Sequence, residues 1–192
     1  MPRAGVTHER VVAEAGVVAD EVGLERLTLA AIAQRFGVTL PSLYKHVDGL
    51  DALKRDLAVL GVRELTAALS AAAVGRARRD ALHAIANAYR DYAKAHPGRS
   101  AAAVRAPDPD DDEYLAASEA AFAVLLAVLD GYEITGEDAI DAIRSLRAAM
   151  HGFVTLEATG GFGLPQSVDA TYARLIDALD TAFAAWSTNN RQ

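Results

Sequence analysis

The stretch TLAAIAQRFGVTLPSLYKHVD, from Thr28 to Asp48, decides the fold of the first part of this chain. Thr28 stands where a cap can accept a hydrogen bond from a free backbone N–H, and Gly37 follows where a helix exit favours positive φ. Between them, apolar residues recur at helical spacing and define one face: Leu29, Ile32, Ala33 and Phe36. The pattern predicts a short amphipathic helix that ends in a tight turn.

A second short helix is predicted directly after that turn. Thr39 is expected to cap it, and Pro41 falls in its first turn, where a missing N–H costs little. Leu43 and Val47 are expected to face inward. The other side chains should face solvent or the flank: Leu40, Ser42, Tyr44, Lys45 and His46. Two helices joined in this way form a helix-turn-helix, whose second helix is suited to a DNA major groove.

The letters AIAQRFGVTLPSLYKHV, followed by Leu50 and Leu53, resemble the DNA-binding end of the TetR family of bacterial repressors. The best-matched residues are Gly37, Val38, Leu43, Tyr44, His46 and Val47. The resemblance implies DNA contacts by Thr28, Thr39, Leu40, Pro41, Ser42, Tyr44, Lys45 and His46. Many relatives have a phosphate-binding lysine where this chain has Leu50, so we expect Lys54, one turn later, to take its place.

Composition is typical of a globular protein of one or two compact units. The chain has 192 residues, of which 52% are apolar and 23% charged, and it contains no cysteine. No long uninterrupted apolar run is present and the N-terminus lacks an apolar signal core, which predicts a cytoplasmic protein without a membrane partner. The net charge is −7, and basic and acidic residues nearly balance over 1–58, so we expect few phosphate contacts.

Helical periodicity continues to the C-terminus without strand-like alternation, so the predicted fold is all-α. A helix from Thr7 to Gly23 should cover the helix-turn-helix. We expect a three-helix DNA-binding domain over residues 1–50, with residues 1–6 as an arm from which Arg3 can reach DNA. A connecting helix over 50–69 should transmit regulation, and residues 70–192 should form a ligand-binding and dimerisation domain. Its helices are expected at 80–96, 114–129, 135–157 and from Ser167 onward, with residues 188–192 frayed.

The acidic run APDPDDDE, Ala106 to Glu113, admits two interpretations. Asp110, Asp111 and Glu113 resemble an aspartate-rich Mg²⁺ motif, so a helical metal-dependent enzyme using residues 108–113 is one alternative. That function needs a second acidic ligand set, which the sequence does not offer. The favoured interpretation is a solvated loop whose acids lie at the N-terminus of the next helix.

The segment MHGFVTLEATGGFGLP, Met150 to Pro165, resembles the regulatory domain of a TetR subgroup marked by a His–Gly pair. In that family the last two long helices form a four-helix bundle with those of a second copy, which implies a homodimer on a palindromic operator. A glycine inside a helix is costly, and close approach of another backbone explains it. The expected interface residues are Gly152, Phe153, Leu175, Leu179, Phe183 and Trp186.

The resemblance also implies a pocket for a small-molecule effector whose identity the sequence leaves open. The candidate lining residues are Tyr89, Tyr92, Tyr114, Phe122, Arg147, Met150 and His151. Each has a plain alternative, because aromatic residues and Met at helical spacing usually belong to a core and an interior His is usually hydrogen-bonded.

The residues bear on three classes of function. No Ser/His/Asp set or glycine-rich phosphate loop after a strand is evident, so we expect no enzyme and no cofactor. An interaction module without DNA binding accounts for the acidic charge but not for the exposed Tyr44-Lys45-His46 surface. The sequence therefore predicts a ligand-responsive transcriptional regulator, a repressor, that binds double-stranded DNA as a homodimer.

Overall fold

The computed structural model describes residues 6–189, with side chains described to Trp186. Arg3, the first five residues of the expected arm and residues 190–192 of the expected frayed end lie outside this range. The described part contains α-helices, one 3₁₀ turn at Leu24–Arg26 and no strand, which confirms the all-α prediction. The helices are α1 (His8–Val22), α2 (Leu29–Phe36), α3 (Leu40–Leu43), α4 (Leu50–Ala73), α5 (Arg78–Ala95), α6 (Pro97–Ala102), α7 (Asp112–Asp130), α8 (Gly136–Ala158) and α9 (Val168–Asn189).

The chain divides into two compact units, and neither is continuous in sequence. Unit 1 is Met1–Glu64 with Ala95–Ser118, and unit 2 is Leu65–Lys94 with Glu119–Gln192. The expected division into residues 1–50 and 70–192 therefore differs from the structure, since 95–118 group with the N-terminal part. The sequence hides these boundaries because two of them fall inside α4 and α7, where no linker marks them.

Unit 1 contains a helix that the sequence analysis missed. Pro97-Gly98 follows the end of α5 as expected, but Pro97 also begins α6. Gly98 lets α6 approach α1 closely, because a Cβ there would lie 2.1 Å from the backbone carbonyl carbon of Ala19. The Asp20 carboxylate accepts hydrogen bonds from the backbone N–H groups of Gly98 and Arg99, at 2.9 and 3.0 Å. The contact between α1 and α6 therefore depends on the absence of a side chain at Gly98 and on the carboxylate of Asp20.

Unit 2 has its own hydrophobic core, built on α5, α7, α8 and α9. Its hydroxyl groups are satisfied internally: Tyr132 donates to Asp180 at 2.6 Å and Tyr172 donates to the carbonyl of Ala86 at 2.7 Å. The largest buried side chains of this core are Leu82, Ile85, Leu129, Tyr132, Leu146, Tyr172 and Phe183. Satisfied phenols inside an apolar core hold its helices in a specific arrangement.

Several local expectations are corrected in the structure. The connecting helix α4 continues past residue 69 to Ala73, so the break expected at 70–79 is only the short segment 74–77. On α7, Phe122 and Leu126 are each 36% exposed. On α9, Ile176 is buried. No helix in the part of the chain described here has the length and apolarity needed to cross a membrane.

Candidate nucleic-acid interface

The helix-turn-helix begins as the sequence predicts. Thr28 Oγ1 accepts a hydrogen bond from the backbone N–H of Ala31 at 3.2 Å, which caps α2. Gly37 ends α2 in the left-handed region with φ of 65°. A residue with a Cβ is strained at that φ, so glycine is the favoured residue for this turn.

The second helix is shorter than a full recognition helix. Its regular part, α3, is Leu40–Leu43, and Tyr44, Lys45 and His46 continue it as turns. Thr39 occupies the N-cap position, but the prediction that its side chain caps the helix is wrong, because its hydroxyl instead donates to Ser42 Oγ at 3.3 Å. We call residues 39–47 the recognition segment.

The recognition segment has one buried side and one exposed side. Leu43 is 0% exposed and Val47 is 4% exposed, which confirms their inward orientation. The outer side chains divide into two groups, with Thr39, Leu40, Pro41, Tyr44 and Lys45 exposed and Ser42 and His46 half-buried. Tyr44 is the most prominent large side chain here, at 53% exposed. The predicted set therefore forms one surface anchored from beneath by two apolar residues.

The next helix supplies the substitute basic residue at the expected place. Leu50 begins α4 and is half-buried, and Lys54 is half-buried one turn later. A partly exposed ammonium at the end of a flexible side chain is able to reach a phosphate. The DNA contact of Lys54 stays a prediction.

One basic residue of α2 is used by the fold. Arg35 pairs with Glu14 at 3.0 Å and with Glu21 at 2.6 Å, so it joins α2 to α1. Phe36, at the end of the same helix, lies 5.6 Å from the guanidinium of Arg10. These pairings, which spacing within a single helix does not reveal, leave fewer cations for DNA.

The acidic run begins α7, as the favoured interpretation predicts, but Asp111 is not simply solvated. Its carboxylate accepts hydrogen bonds from the Arg55 guanidinium, one of them at 2.6 Å, and these bonds lower the pKa of Asp111 to about 2. Glu113 binds Arg55 at 2.7 Å and Arg63 at 3.0 Å, and its pKa is lowered mainly by Arg55. Over residues 6–189, no group of three or more His, Asp or Glu side chains is arranged to hold a metal ion.

The predicted pocket residues have different surroundings. Tyr89 and His151 do meet, since the Tyr89 hydroxyl and His151 Nδ1 share a hydrogen bond at 3.2 Å. Burial raises the pKa of Tyr89. Tyr114, however, belongs to unit 1, where its hydroxyl donates to the carbonyl of Arg105 at 2.7 Å. Of the remaining candidates, Met150 and Tyr92 are buried, whereas Phe122 and Arg147 are exposed.

The predicted dimer residues also separate into two groups. Phe153 and Phe183 are 7% and 1% exposed, so the core of their own chain already covers them. Leu175, Leu179 and Trp186 are half-buried, and Gly152 is exposed. No atom of the described chain, beyond its own helix backbone and neighbours, would lie within 4 Å of a Cβ at Gly152. The close backbone approach expected there is therefore absent within one chain.

Sequence reasoning missed a polar cluster of unit 2. Arg90 on α5 is only 8% exposed, and its guanidinium lies 5.0 Å from the Tyr172 ring. It donates to Glu157 at 2.8 Å and pairs with Asp169 at 2.7 Å. Arg90 lowers the pKa of Glu157 to about 2. An arginine among apolar helix positions was the available indication, but its partners lie far away in sequence.

A cleft of about 200 Å³ lies at the loop before α9. None of the residues predicted to line an effector pocket is among its lining residues. It is lined by Gly161, Phe162, Gly163, Leu164, Gln166, Val168 and Thr171.

Comparisons with known proteins agree with this arrangement. Residues 82–179 match the family model described as "Tetracyclin repressor-like, C-terminal domain". The uncharacterized HTH-type transcriptional regulator Rv0681 of Mycobacterium tuberculosis is 42% identical over 158 residues, covering 82% of this chain and 72% of that protein. The corresponding regulator YobS of Bacillus subtilis is 33% identical over 161 residues and covers 84% of each protein.

A solved structure shows the same fold. The crystal structure of a TetR variant from Acinetobacter baumannii AYE in complex with minocycline superposes with a TM-score of 0.73 at 20% identity. The superposition covers 95% of this chain and 99% of the chain of the A. baumannii protein. The fold and the helix-turn-helix define a DNA-binding transcriptional regulator. The chain belongs to the TetR family, whose members are regulators and not enzymes.

Proposed function

We propose that this protein is a ligand-responsive repressor that binds a palindromic operator as a homodimer through the helix-turn-helix at residues 28–47. The observation that carries the proposal is the recognition segment, in which exposed Tyr44 and Lys45 stand over buried Leu43 and Val47. Exposed polar and aromatic side chains of this kind are available for base edges and phosphates. Because its proposed target is DNA, the proposed location of the protein is the cytoplasm.

Dimerisation supports this function through geometry. A two-fold axis places two recognition segments about one helical turn of DNA apart, so each half-site is read once. One recognition segment with few free cations makes few phosphate contacts, and two acting together supply the missing affinity. Gly152 and the half-buried Leu175, Leu179 and Trp186 are the proposed contact residues on α8 and α9.

Effector binding is proposed for unit 2. A relative of the same fold was crystallised with minocycline, which is a property of that protein. In this chain, the half-buried pair Tyr89 and His151 offers a phenol and an imidazole among apolar side chains, which suits a largely apolar ligand with a polar group. The helices α4 and α7 each contribute residues to both units. Effector binding that orders either helix in unit 2 is therefore proposed to change the conformation of the same helix in unit 1.

A mobility-shift experiment tests operator binding. The full-length protein is titrated against the intergenic DNA beside its own gene, with a scrambled fragment of equal length as competitor. A specific shift with two protomers per operator supports the proposal. The absence of a specific shift on this DNA, and on a pool of random sequences after selection, contradicts it.

Two variants with a matched control locate the contact surface. Tyr44→Ala and Lys45→Ala should each weaken operator binding by about tenfold, typical of a lost direct contact, without changing the fold or the dimer. Arg105→Ala removes an exposed cation of unit 1 outside the helix-turn-helix and should bind as the wild type does. Unchanged affinity in both test variants would show that the recognition segment is assigned wrongly.

Effector responsiveness has its own test. A thermal-shift screen over diverse apolar metabolites should identify a stabilising compound, because a ligand that binds only the folded state raises its stability. The same compound should release the operator. A stabiliser that leaves operator binding intact at saturation would contradict its role as the inducing effector.

A further inference from the structure

His8 joins the recognition segment to α4 through both nitrogens of its ring. It is the first residue of α1, and its Nδ1 lies 2.9 Å from the backbone carbonyl oxygen of His46. Its Nε2 lies 3.3 Å from Asp56 Oδ2 on α4. The His8 side chain is 49% exposed and that of Asp56 is 17% exposed, so the imidazole spans from solvent to a largely covered carboxylate.

The two contacts of the His8 ring differ in kind. The His46 carbonyl only accepts hydrogen bonds, so Nδ1 carries the proton of that hydrogen bond. Nε2 approaches Asp56 Oδ2 at 3.3 Å as an ion-pair contact rather than as a hydrogen bond. A neutral ring keeps the first contact, and the imidazolium adds its positive charge beside the Asp56 carboxylate.

The position of the carbonyl partner makes this contact relevant to DNA recognition. His46 lies at the end of the recognition segment, in which only Leu40–Leu43 form a regular helix. A segment that short has few hydrogen bonds of its own, and ordering it on DNA costs conformational entropy. The Asp56 carboxylate is itself held in place, because its Oδ1 accepts a hydrogen bond from Arg55 at 2.8 Å.

We propose that His8 is a positioning residue of the recognition segment: its ring donates a hydrogen bond to the His46 carbonyl, and its protonated form also pairs with Asp56 of α4, so that operator affinity is higher when His8 is protonated. The proposal rests on the operator binding proposed above. It adds a residue outside the helix-turn-helix, and a pH dependence, to that function.

Charged side chains from three helices surround His8. His8 lines a cleft of about 310 Å³ together with Glu9 of its own helix, Arg55, Asp56 and Arg63 of α4, and Glu113 of α7. Both arginines are already paired, Arg55 with Asp56, Asp111 and Glu113, and Arg63 with Glu113. The apolar part of the cleft is Val12, Ala13, Val59 and Leu60.

The test compares the pH profiles of operator binding for three proteins at constant ionic strength. Affinity is measured by fluorescence anisotropy at about pH 5.5 and about pH 8, on either side of the histidine range. The wild type should bind about threefold more tightly at the lower pH, the factor expected for one partly exposed ion pair. His8→Ala removes both contacts, so it should bind weakly at both values with a much flatter profile.

His8→Asn is the conservative variant that separates positioning from simple packing. An asparagine amide reproduces the Nδ1–H donor but does not titrate, so it can still bind the His46 carbonyl. We expect its affinity to match the wild type at about pH 8 and to show no rise at about pH 5.5. His46→Gln controls for the second histidine at this site and should retain the His8-dependent part of the profile.

A second measurement needs no DNA. In the free protein, the backbone amide of Val47 shares a peptide bond with the His46 carbonyl, so its NMR shift should follow the titration of the His8 ring in the wild type and not in His8→Asn. A wild-type pH profile in His8→Ala, or a Val47 amide indifferent to His8, overturns the proposal. If no variant binds operator at any pH but the Val47 shift is present, the operator function fails and the contact made by His8 stands.

Discussion

Asp111, next to the first residue of α7, binds Arg55 of α4, with Arg55 Nε donating to Asp111 Oδ2 at 2.6 Å and Nη2 donating to Oδ1. The pairing is bidentate, and the same guanidinium also donates to Asp56 and Glu113. Planar two-point pairs of this type hold both position and orientation. The contact therefore fixes the start of α7 to α4 inside unit 1.

This ion pair should make the stability of unit 1 sensitive to acid. The pKa of Asp111 is about 2, below its ordinary value of 3.8, so its pairing stabilises the fold fully above the ordinary value and is lost as the pH falls through about 2. The wild type should lose free energy of unfolding from about pH 4 downward more steeply than Asp111→Asn. Urea unfolding at several pH values measures this. Asp110→Asn, which neutralises the neighbouring exposed carboxylate, should keep the wild-type slope.

Thr28 and Thr39 precede the two helices of the helix-turn-helix, yet only one should matter for stability. Thr28→Ala removes a side-chain cap and should cost about 1 kcal/mol. Thr39→Ala removes only a contact to Ser42 and should leave the free energy of unfolding nearly unchanged. Thermal unfolding of the two variants makes the comparison. Equal losses would mean that Thr39 caps α3 in solution.

Gly98→Ala should be among the most destabilising single methyl additions in the chain. Its Cβ would lie 2.1 Å from the Ala19 carbonyl carbon, and backbone atoms cannot move aside as a side chain can. Forcing α6 away from α1 should cost about 3 kcal/mol, the upper range for overpacking. Gly163→Ala is the matched control, since nothing lies within 4 Å of its added Cβ. A wild-type unfolding midpoint for Gly98→Ala would contradict this geometry.

Gly152→Ala tests the proposed dimer surface. Within one chain the methyl group meets only open space, and alanine is the better helix former by about 1 kcal/mol, so the folded chain should be slightly stabilised. If α8 packs closely against a second copy at this point, the dimer should weaken instead. Sedimentation velocity over a dilution series measures dissociation, with Gly163→Ala as control. A dimer unaffected by Gly152→Ala would remove Gly152 from the interface.

Local rules predicted the local features of the helix-turn-helix correctly. The Thr28 cap, the left-handed Gly37 and the inward Leu43 each depend on residues within a few positions, so spacing and side-chain type suffice. The exposed Tyr44 and Lys45 follow from the same periodicity. The Thr39 side chain was misjudged because Ser42 offers its hydroxyl a partner that the N-cap rule does not consider.

Pairings between distant segments were beyond those rules. Arg90 with Glu157, Arg55 with Asp111 and His8 with the His46 carbonyl join residues that are far apart in sequence. No periodicity encodes which charge meets which, because the partner is selected by the packing of several helices at once.

The sequence by itself determined the helical class, the helix-turn-helix and the TetR resemblance, because these follow from short-range spacing and turn chemistry. Tertiary structure decided which residues form each unit, with α6 and the start of α7 joining the N-terminal helices. It also decided which charges pair within the fold and which stay exposed: Arg35 and Arg55 are paired with carboxylates, whereas Lys45 is exposed on the recognition segment. The physical reason is that burial and ion pairing depend on three-dimensional neighbours, which a linear pattern does not specify.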